Sequence, residues 1–292
     1  MAESVGLIGL GLVGTAIAWC LLREGYDVIG FDIDPAKCEA LSEDDVKIAA
    51  NAAEVSERVN RVILSLPNTD VVVEVVEGPG GLVKAKKPAR FIIDTTTGDP
   101  DQTAALAQRL AERGIKLLDA PFSGSSQQLM NRDVIFMIGG EKSAFQACRG
   151  ILEKLSREGV YLGESGSGSK AKLASNLILG LNRLALAEGL VFAKELGLEP
   201  ERFLELLKVS PAYSAAMEVK GKKMLDGDFA PQARLRQHCK DVSIILKYAK
   251  KLGQDLPLSK AHREVLEKAI EAGDGDLDNS AVIREIERRS EG

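Results

Sequence analysis

Val5-Gly6-Leu7-Ile8-Gly9-Leu10-Gly11-Leu12-Val13-Gly14 is the stretch on which the fold turns. Its apolar beginning suits a buried strand, its glycines stand as G-x-G-x-x-G, and Thr15-Ala16-Ile17-Ala18-Trp19-Cys20-Leu21-Leu22 continues as a helix. That order is the shape of a phosphate loop for a dinucleotide. Gly9 permits the tight turn, Gly11 lets the backbone approach a pyrophosphate, and Gly14 lets the helix pack on the strand. The first helical turn, Leu12 and Val13 included, offers its N–H groups to the anion. A second apolar run, Val28-Ile29-Gly30-Phe31, ends in Asp32, at the interval of about 20 residues where a carboxylate binds the adenosine ribose hydroxyls. The glycines alone also fit an ordinary strand-turn-helix; the acid at the right interval favours the cofactor.

Asp32 bears on which nicotinamide cofactor is taken. A carboxylate accepts hydrogen bonds from a ribose diol and repels a 2′-phosphate, so NAD is expected over NADP. Asp34 either adds a second negative charge or serves as a helix N-cap ahead of Pro35, and spacing does not separate the two.

The length of 292 residues suits about two domains. Hydrophobic residues make up 45% and charged ones 28%, as in soluble globular chains, and no apolar run is expected to cross a bilayer. A net charge of -5 gives no reason to expect nucleic acid as a partner. The N-terminus enters a strand at once, leaving no signal-peptide pattern, and the expected location is the cytoplasm. Cys20, Cys38, Cys148 and Cys239 lack C-x-x-C spacing, so neither a metal cluster nor a disulfide framework is expected.

Further strands are expected at Val62-Ile63-Leu64-Ser65-Leu66-Pro67, Arg90-Phe91-Ile92-Ile93-Asp94-Thr95-Thr96-Thr97, Lys116-Leu117-Leu118-Asp119-Ala120-Pro121 and Val134-Ile135-Phe136-Met137-Ile138-Gly139-Gly140. With helices between them they make an α/β domain with a mostly parallel sheet. Ligands gather beyond the carboxyl ends of such strands, so Leu66 and Pro67 should face the cofactor. Thr95, Thr96 and Thr97 stand where strand-end hydroxyls meet the nicotinamide ribose, although Thr97 equally suits the cap of the helix opened by Asp99-Pro100. Phe122-Ser123-Gly124-Ser125-Ser126 offers backbone N–H groups and hydroxyls to an anion such as a substrate carboxylate, or is a plain surface turn.

Near Gly163-Glu164-Ser165-Gly166-Ser167-Gly168-Ser169 the strand-helix alternation stops and helical pattern takes over. The expected domains are residues 1–164, the dinucleotide-binding α/β domain, and 165–292, an all-helical domain. A long apolar helix is expected from Lys170 to about Glu195, with Lys172 and Asn176 on one face and Lys170 on another. A lysine and an amide one turn apart can hold a substrate oxygen, and a desolvated lysine exchanges protons near neutrality. His238 has no acid at triad spacing and reads as structural; Lys240 reads as functional or as a surface charge. Gly273-Asp274-Gly275-Asp276-Leu277-Asp278-Asn279-Ser280 has the wrong downstream glutamate spacing and internal glycine for a calcium loop and is expected to cap a last helix beginning near Ala281.

Together these residues resemble the β-hydroxyacid dehydrogenase family, the group of 3-hydroxyisobutyrate dehydrogenase, tartronate semialdehyde reductase and threonate dehydrogenase. The resemblance runs over the whole chain through Gly6 to Gly14, Asp94-Thr95-Thr96-Thr97, Asp119-Ala120-Pro121-Phe122-Ser123-Gly124, Gly166-Ser167-Gly168 leading to Lys172 and Asn176, and Lys240-Asp241. It implies an N-terminal Rossmann domain, an all-α C-terminal domain that builds a dimer or dimer of dimers, and an active site between the two. Lys172 is then the proton donor and acceptor, Asn176 holds the substrate, Ser123 and Gly124 bind its carboxylate, and Leu66, Pro67, Thr97 and Lys240 line the cofactor site. The implied reaction moves hydride between NAD and the β-carbon of a small 3-hydroxy acid, or reduces the matching semialdehyde, with no metal.

Three departures stand out. Ser125 replaces a second glycine after Ser123-Gly124, Ser175 replaces a first asparagine before Asn176, and Gln232-Ala233-Arg234-Leu235 replaces an aromatic. The added hydroxyl and the arginines Arg234 and Arg236 suit a more oxygenated acid, unless those arginines lie on the outer face of their helix. Rival readings are a catalytically idle redox sensor, an imine reductase, and a decarboxylating sugar-phosphate dehydrogenase, the last disfavoured by a short C-terminal domain.

Overall fold

The computed structural model describes residues 3–290, and the chain divides into two compact units, Met1–Lys172 and Leu173–Gly292. The division falls inside a long helix.

In the first unit the apolar runs become β1 (Ser4–Ile8), β2 (Asp27–Phe31), β3 (Lys47–Ile48), β4 (Arg61–Leu64), β5 (Phe91–Asp94), β6 (Lys116–Asp119), β7 (Phe122–Ser123), β8 (Ile135–Gly140) and β9 (Glu158–Gly163). They pair in the order β3-β2-β1-β4-β5-β6-β8-β7, with β9 on β8. The pairing is parallel from β3 through β6, while β8 runs antiparallel to β6 and β7. Alternation in the strands sends Val5, Leu7, Ile63, Ile93 and Leu118 into one apolar cluster and Ile8, Val62, Leu64, Ile92 and Leu117 into another, as a sheet covered on both faces requires. The first cluster is closed by α1 (Leu12–Arg23), α6 (Ser126–Met130) and α7 (Lys142–Leu155), and the second by α3 (Ala52–Arg58), α4 (Thr69–Glu77) and α5 (Pro100–Ala111). α2 (Pro35–Ser42) follows β2. Helix starts are set by side chains: Asp34, Asn51, Asn68 and Asp99 each accept an N–H of the first turn.

α8 (Ser167–Glu195) is 29 residues long and is by length and composition apolar enough to cross a membrane, which corrects the expectation that no such run exists. Leu184, Leu186, Ala187, Leu190 and Val191 instead place it in the core of the second unit. That core also takes side chains from α9 (Pro200–Lys208), α10 (Lys222–Asp226), α11 (Leu235–Lys251), α12 (Pro257–Glu271) and α13 (Val282–Ser290). The segment before α13 is tied down by Asp278. Its carboxylate, fully buried, accepts both oxygens' worth of bonds from Lys220 at 2.8 and 3.0 Å and further bonds from the N–H groups of Gln232, Ala233 and Ser280. Asp274, also buried, pairs with Arg284 and Arg288. The acids of this stretch thus bind Lys220 ahead of α10, Arg236 of α11 and Arg284 and Arg288 of α13, and the chain then enters that last helix.

Candidate cofactor and active site

The glycine loop has the conformation its spacing demands. Gly9 sits at φ +91°, and a Cβ there would lie 2.2 Å from the Ser65 carbonyl oxygen. A Cβ on Gly14 would lie 1.9 Å from the Gly9 carbonyl oxygen, so α1 closes directly on the turn. Gly11 differs: a Cβ there meets nothing within 4 Å, and the residue is the N-cap of α1 with no side-chain cap. The helix start is therefore bare at the one glycine that packing does not require. Such a bare helix start could hold an anion such as a pyrophosphate through the N–H groups of its first turn and the helix dipole.

Asp32 follows β2 with its side chain 8% exposed. Its Oδ2 accepts the Leu10 N–H at 2.8 Å and its Oδ1 the Asp34 N–H at 2.9 Å, which ties the acid to the glycine loop. Asp34 caps α2 by accepting the Ala36 N–H at 3.1 Å, so of its two readings the cap is observed. Lys37 Nζ lies 3.5 Å from Asp32 and 3.6 Å from Asp34. Ile33, 89% exposed, presents an aliphatic face beside them that sequence reading passed over.

The ends of β4 and β5 are stitched to each other and to β1. Ser65 N–H donates to the Ile8 carbonyl, Thr95 donates through its N–H and hydroxyl to the Leu64 carbonyl, and Leu66 N–H donates to the Thr96 hydroxyl. Gly9, Leu66 and the threonines thus share the carboxyl edge of the sheet. Thr97 does not cap α5; Asp99 does, accepting the N–H groups of Asp101 and Gln102. Pro67 is exposed and Thr97 is half-buried.

Ser123 ends β7, and Gly124 at φ +142° turns the chain into α6. Ser125 is the N-cap of α6 in a capping box: its hydroxyl accepts the Gln128 N–H and its own N–H donates to the Gln128 side chain. The Ser125 hydroxyl is thereby explained by the helix start and no longer argues for an oxygenated substrate. Arg236 gives the same correction, since it makes a two-pronged ion pair with Asp276 at 2.8 Å on each arm while more than half exposed. Arg234, equally exposed, lies 3.8 Å from the same acid.

On α8, Lys172 and Asn176 are buried, at 8% and 5% exposure, and Lys170 is exposed. Asn176 belongs to the second unit. Its Nδ2 donates to Asp241 Oδ2 at 2.9 Å, and Lys240 Nζ lies 2.8 Å from Asp241 Oδ1, so the lysine and the amide share one carboxylate. Asp241 carried no role in the sequence reading; its pairing with Asn176 across 65 residues leaves no local trace. His238 is buried against His262 with ring centroids 5.2 Å apart, in keeping with a structural role.

A doubly wound sheet with a bare glycine-framed helix start and an acid after its second strand defines a Rossmann dinucleotide-binding protein, here continued by a helical unit. Residues 4–163 match the family described as the NAD binding domain of 6-phosphogluconate dehydrogenase, and residues 166–286 that described as NAD-binding of NADP-dependent 3-hydroxyisobutyrate dehydrogenase. The chain is 33% identical to 2-(hydroxymethyl)glutarate dehydrogenase of Eubacterium barkeri, over 96% of this chain and 93% of that one. It is 31% identical to 2-hydroxy-3-oxopropionate reductase of Escherichia coli, over 97% of each. Among solved structures, 3-hydroxyisobutyrate dehydrogenase of Salmonella typhimurium superimposes with a TM-score of 0.87 at 26% identity, covering 97% of this chain and 99% of that chain. An imine reductase of Pseudomonas sp. shares the fold alone, with a TM-score of 0.67 at 21% identity. The chain belongs to the β-hydroxyacid dehydrogenase family.

Proposed function

We propose that this protein is an NAD-dependent dehydrogenase that oxidises a small 3-hydroxy acid at its β-carbon, or reduces the matching semialdehyde, with Lys172 as general acid and base. The observation that carries the reading is the burial of Lys172 at 8% exposure while Lys170, two residues away, is exposed. A solvated surface charge has no reason to be buried, whereas a proton carrier needs a desolvated amine. Bound NAD supplies the hydride acceptor. Lys172 takes the hydroxyl proton during oxidation and returns it to the carbonyl oxygen during reduction. Ser123 and the N–H groups at Gly124 hold the substrate carboxylate, and Asn176, its amide oriented by Asp241, holds a second substrate oxygen.

What supports NAD over NADP is the carboxylate of Asp32 directly after β2 with Asp34 beside it, a pair of charges that disfavours a 2′-phosphate; the nearby Lys37 is shared between both acids and offsets only part of their charge. The residues expected at the cofactor are Gly9, Gly11, Leu12, Val13, Gly14, Asp32, Leu66, Pro67, Thr97 and Lys240. The helical unit exposes Phe192, Leu196, Leu206 and Val209, at 58% or more each, which supports a homodimer formed through that unit.

The test is Lys172→Met, assayed by reduced-nicotinamide absorbance against a panel of 3-hydroxy acids and semialdehydes. Turnover should fall at least about 1,000-fold, in the range of lost acid-base catalysis, while NADH binding stays within about twofold. Unchanged turnover rejects the assignment.

A further inference from the structure

Asp119 ends β6, and through its side chain it takes hold of the helix that carries Lys172. Oδ1 accepts the Gly166 N–H at 2.8 Å and Oδ2 the Ser169 N–H at 2.8 Å; the Ser169 hydroxyl bonds to the same carboxylate. α8 starts at Ser167, so these are N–H groups at a helix start, where intrahelical carbonyls are lacking. A carboxylate 47 residues upstream of the nearer donor therefore does the work of an N-cap, at the positive end of a 29-residue helix.

The seat is enclosed. Asp119 is 1% exposed, a Cβ on Gly139 would lie 2.5 Å from its Oδ1, and a Cβ on Gly168 would lie 2.3 Å from the Met137 carbonyl oxygen and 2.5 Å from that of Asp119. Glycine at both positions lets the first turn of α8 rest on the ends of β6 and β8 with no side chain between. Burial raises the Asp119 carboxyl pKa, and the bonds from Ser169 and Gly166 oppose that rise and favour the ionised form.

From this seat the chain leads to both groups assigned to the substrate. Past β6 it reaches Ser123 and Gly124, and less than one helical turn beyond Ser169 it reaches Lys172. We propose that Asp119 is a positioning residue of the reaction: it fixes the rotation and height of the first turns of α8, and so sets where the Lys172 amine stands relative to the carboxylate held at Ser123 and Gly124. A misplacement of about 1 Å in such a pair costs on the order of 100-fold in rate.

This inference rests on Lys172 as proton carrier, so Lys172→Met is measured beside the test variant. Asp119→Asn keeps the size of the side chain but turns one acceptor into an NH2 facing an N–H donor, so one bond to the helix start is lost. Expected is a fall in kcat of about 30-fold per NADH-binding site, with the NADH dissociation constant, read by its fluorescence, within about twofold of the parent. A purely structural role lowers the folded fraction and leaves kcat per NADH-binding site unchanged. If Asp119→Asn does not fold, Ser169→Ala removes only the hydroxyl bond to Asp119 and should lower the same quantity about threefold. Parental kcat per NADH-binding site in the variant that folds overturns the inference. With Lys172→Met inactive, that result overturns it alone; an active Lys172→Met removes the lysine assignment and the inference with it.

Discussion

Acid should weaken the helical unit through one imidazole. His262 on α12 is 3% exposed, its ring tilted against that of His238 of α11, and both rings press on Gly180 of α8, where a Cβ would lie 2.7 Å from His262 Cε1 and 2.5 Å from His238 Nε2. Burial, and then the charge of the buried Arg183, pushes the His262 pKa down to about 4. In the unfolded chain the same ring titrates near 6.5. The folded-state pKa is the lower of the two, so between about pH 6.5 and pH 4 the unfolded chain binds a proton that the folded chain refuses. Stability is fully present above that window and is lost as pH falls through it. That window is worth about 3 kcal/mol, most of which is gone by pH 4.5. Carboxylates titrate in the same region, so the quantity to measure is the difference between the parent and His262→Leu, which fills the site and carries no proton. Urea unfolding of both proteins from pH 7.5 to 4.5 gives it, with far-ultraviolet dichroism following the helices. The variant should gain on the parent by about 2 to 3 kcal/mol between those limits. Two curves that stay parallel within about 0.5 kcal/mol refute the linkage.

Other outcomes follow from the cofactor loop and the surface. Gly11→Ala should leave thermal stability unchanged and weaken NADH binding at least about tenfold, because its Cβ meets no protein atom and enters the space assigned to the pyrophosphate. Gly14→Ala should instead lower the melting temperature, because its Cβ falls 1.9 Å from the Gly9 carbonyl oxygen; a destabilised Gly11→Ala contradicts the contrast. Asp32→Ser should lower kcat/KM for NAD by about 10- to 100-fold, the loss of a hydrogen-bonded carboxylate, and change that for NADP by less than about threefold; parallel losses with both cofactors would place the effect in the loop bond to Leu10 rather than in the ribose. Arg236→Ala should leave substrate KM within about twofold and stability within about 1 kcal/mol, since it removes an exposed ion pair.

What the sequence disclosed and what it withheld divide along chain separation. The glycine loop is legible because it depends on neighbours within one β-α-β unit, and the proposal of Asp32, Lys172 and Asn176 rests on local spacing of the same kind. Helical period alone puts Lys170 and Lys172 on different faces, and the structure exposes one and buries the other. Elements without an apolar run were missed: β9, whose residues Glu158, Gly159 and Val160 are exposed, lies at the sheet margin beside β8, and α6 is a five-residue helix in what looked like a loop. Charges were hardest. Arg234 and Arg236 looked available to a substrate until Asp276, 40 residues beyond Arg236, appeared beside them. Asp119 and Asp241 have no role that local pattern assigns; they bond to Ser169 and Asn176 of α8 from 50 and 65 residues away. A charged residue type states only that a charge must be solvated or paired; which of these happens is decided by whatever the fold brings alongside. In the proposed site the groups are local and their aim is long-range: Lys172 and Asn176 stand four residues apart on α8, and the carboxylates bonded to its first turn and to the Asn176 amide come from β6 and α11.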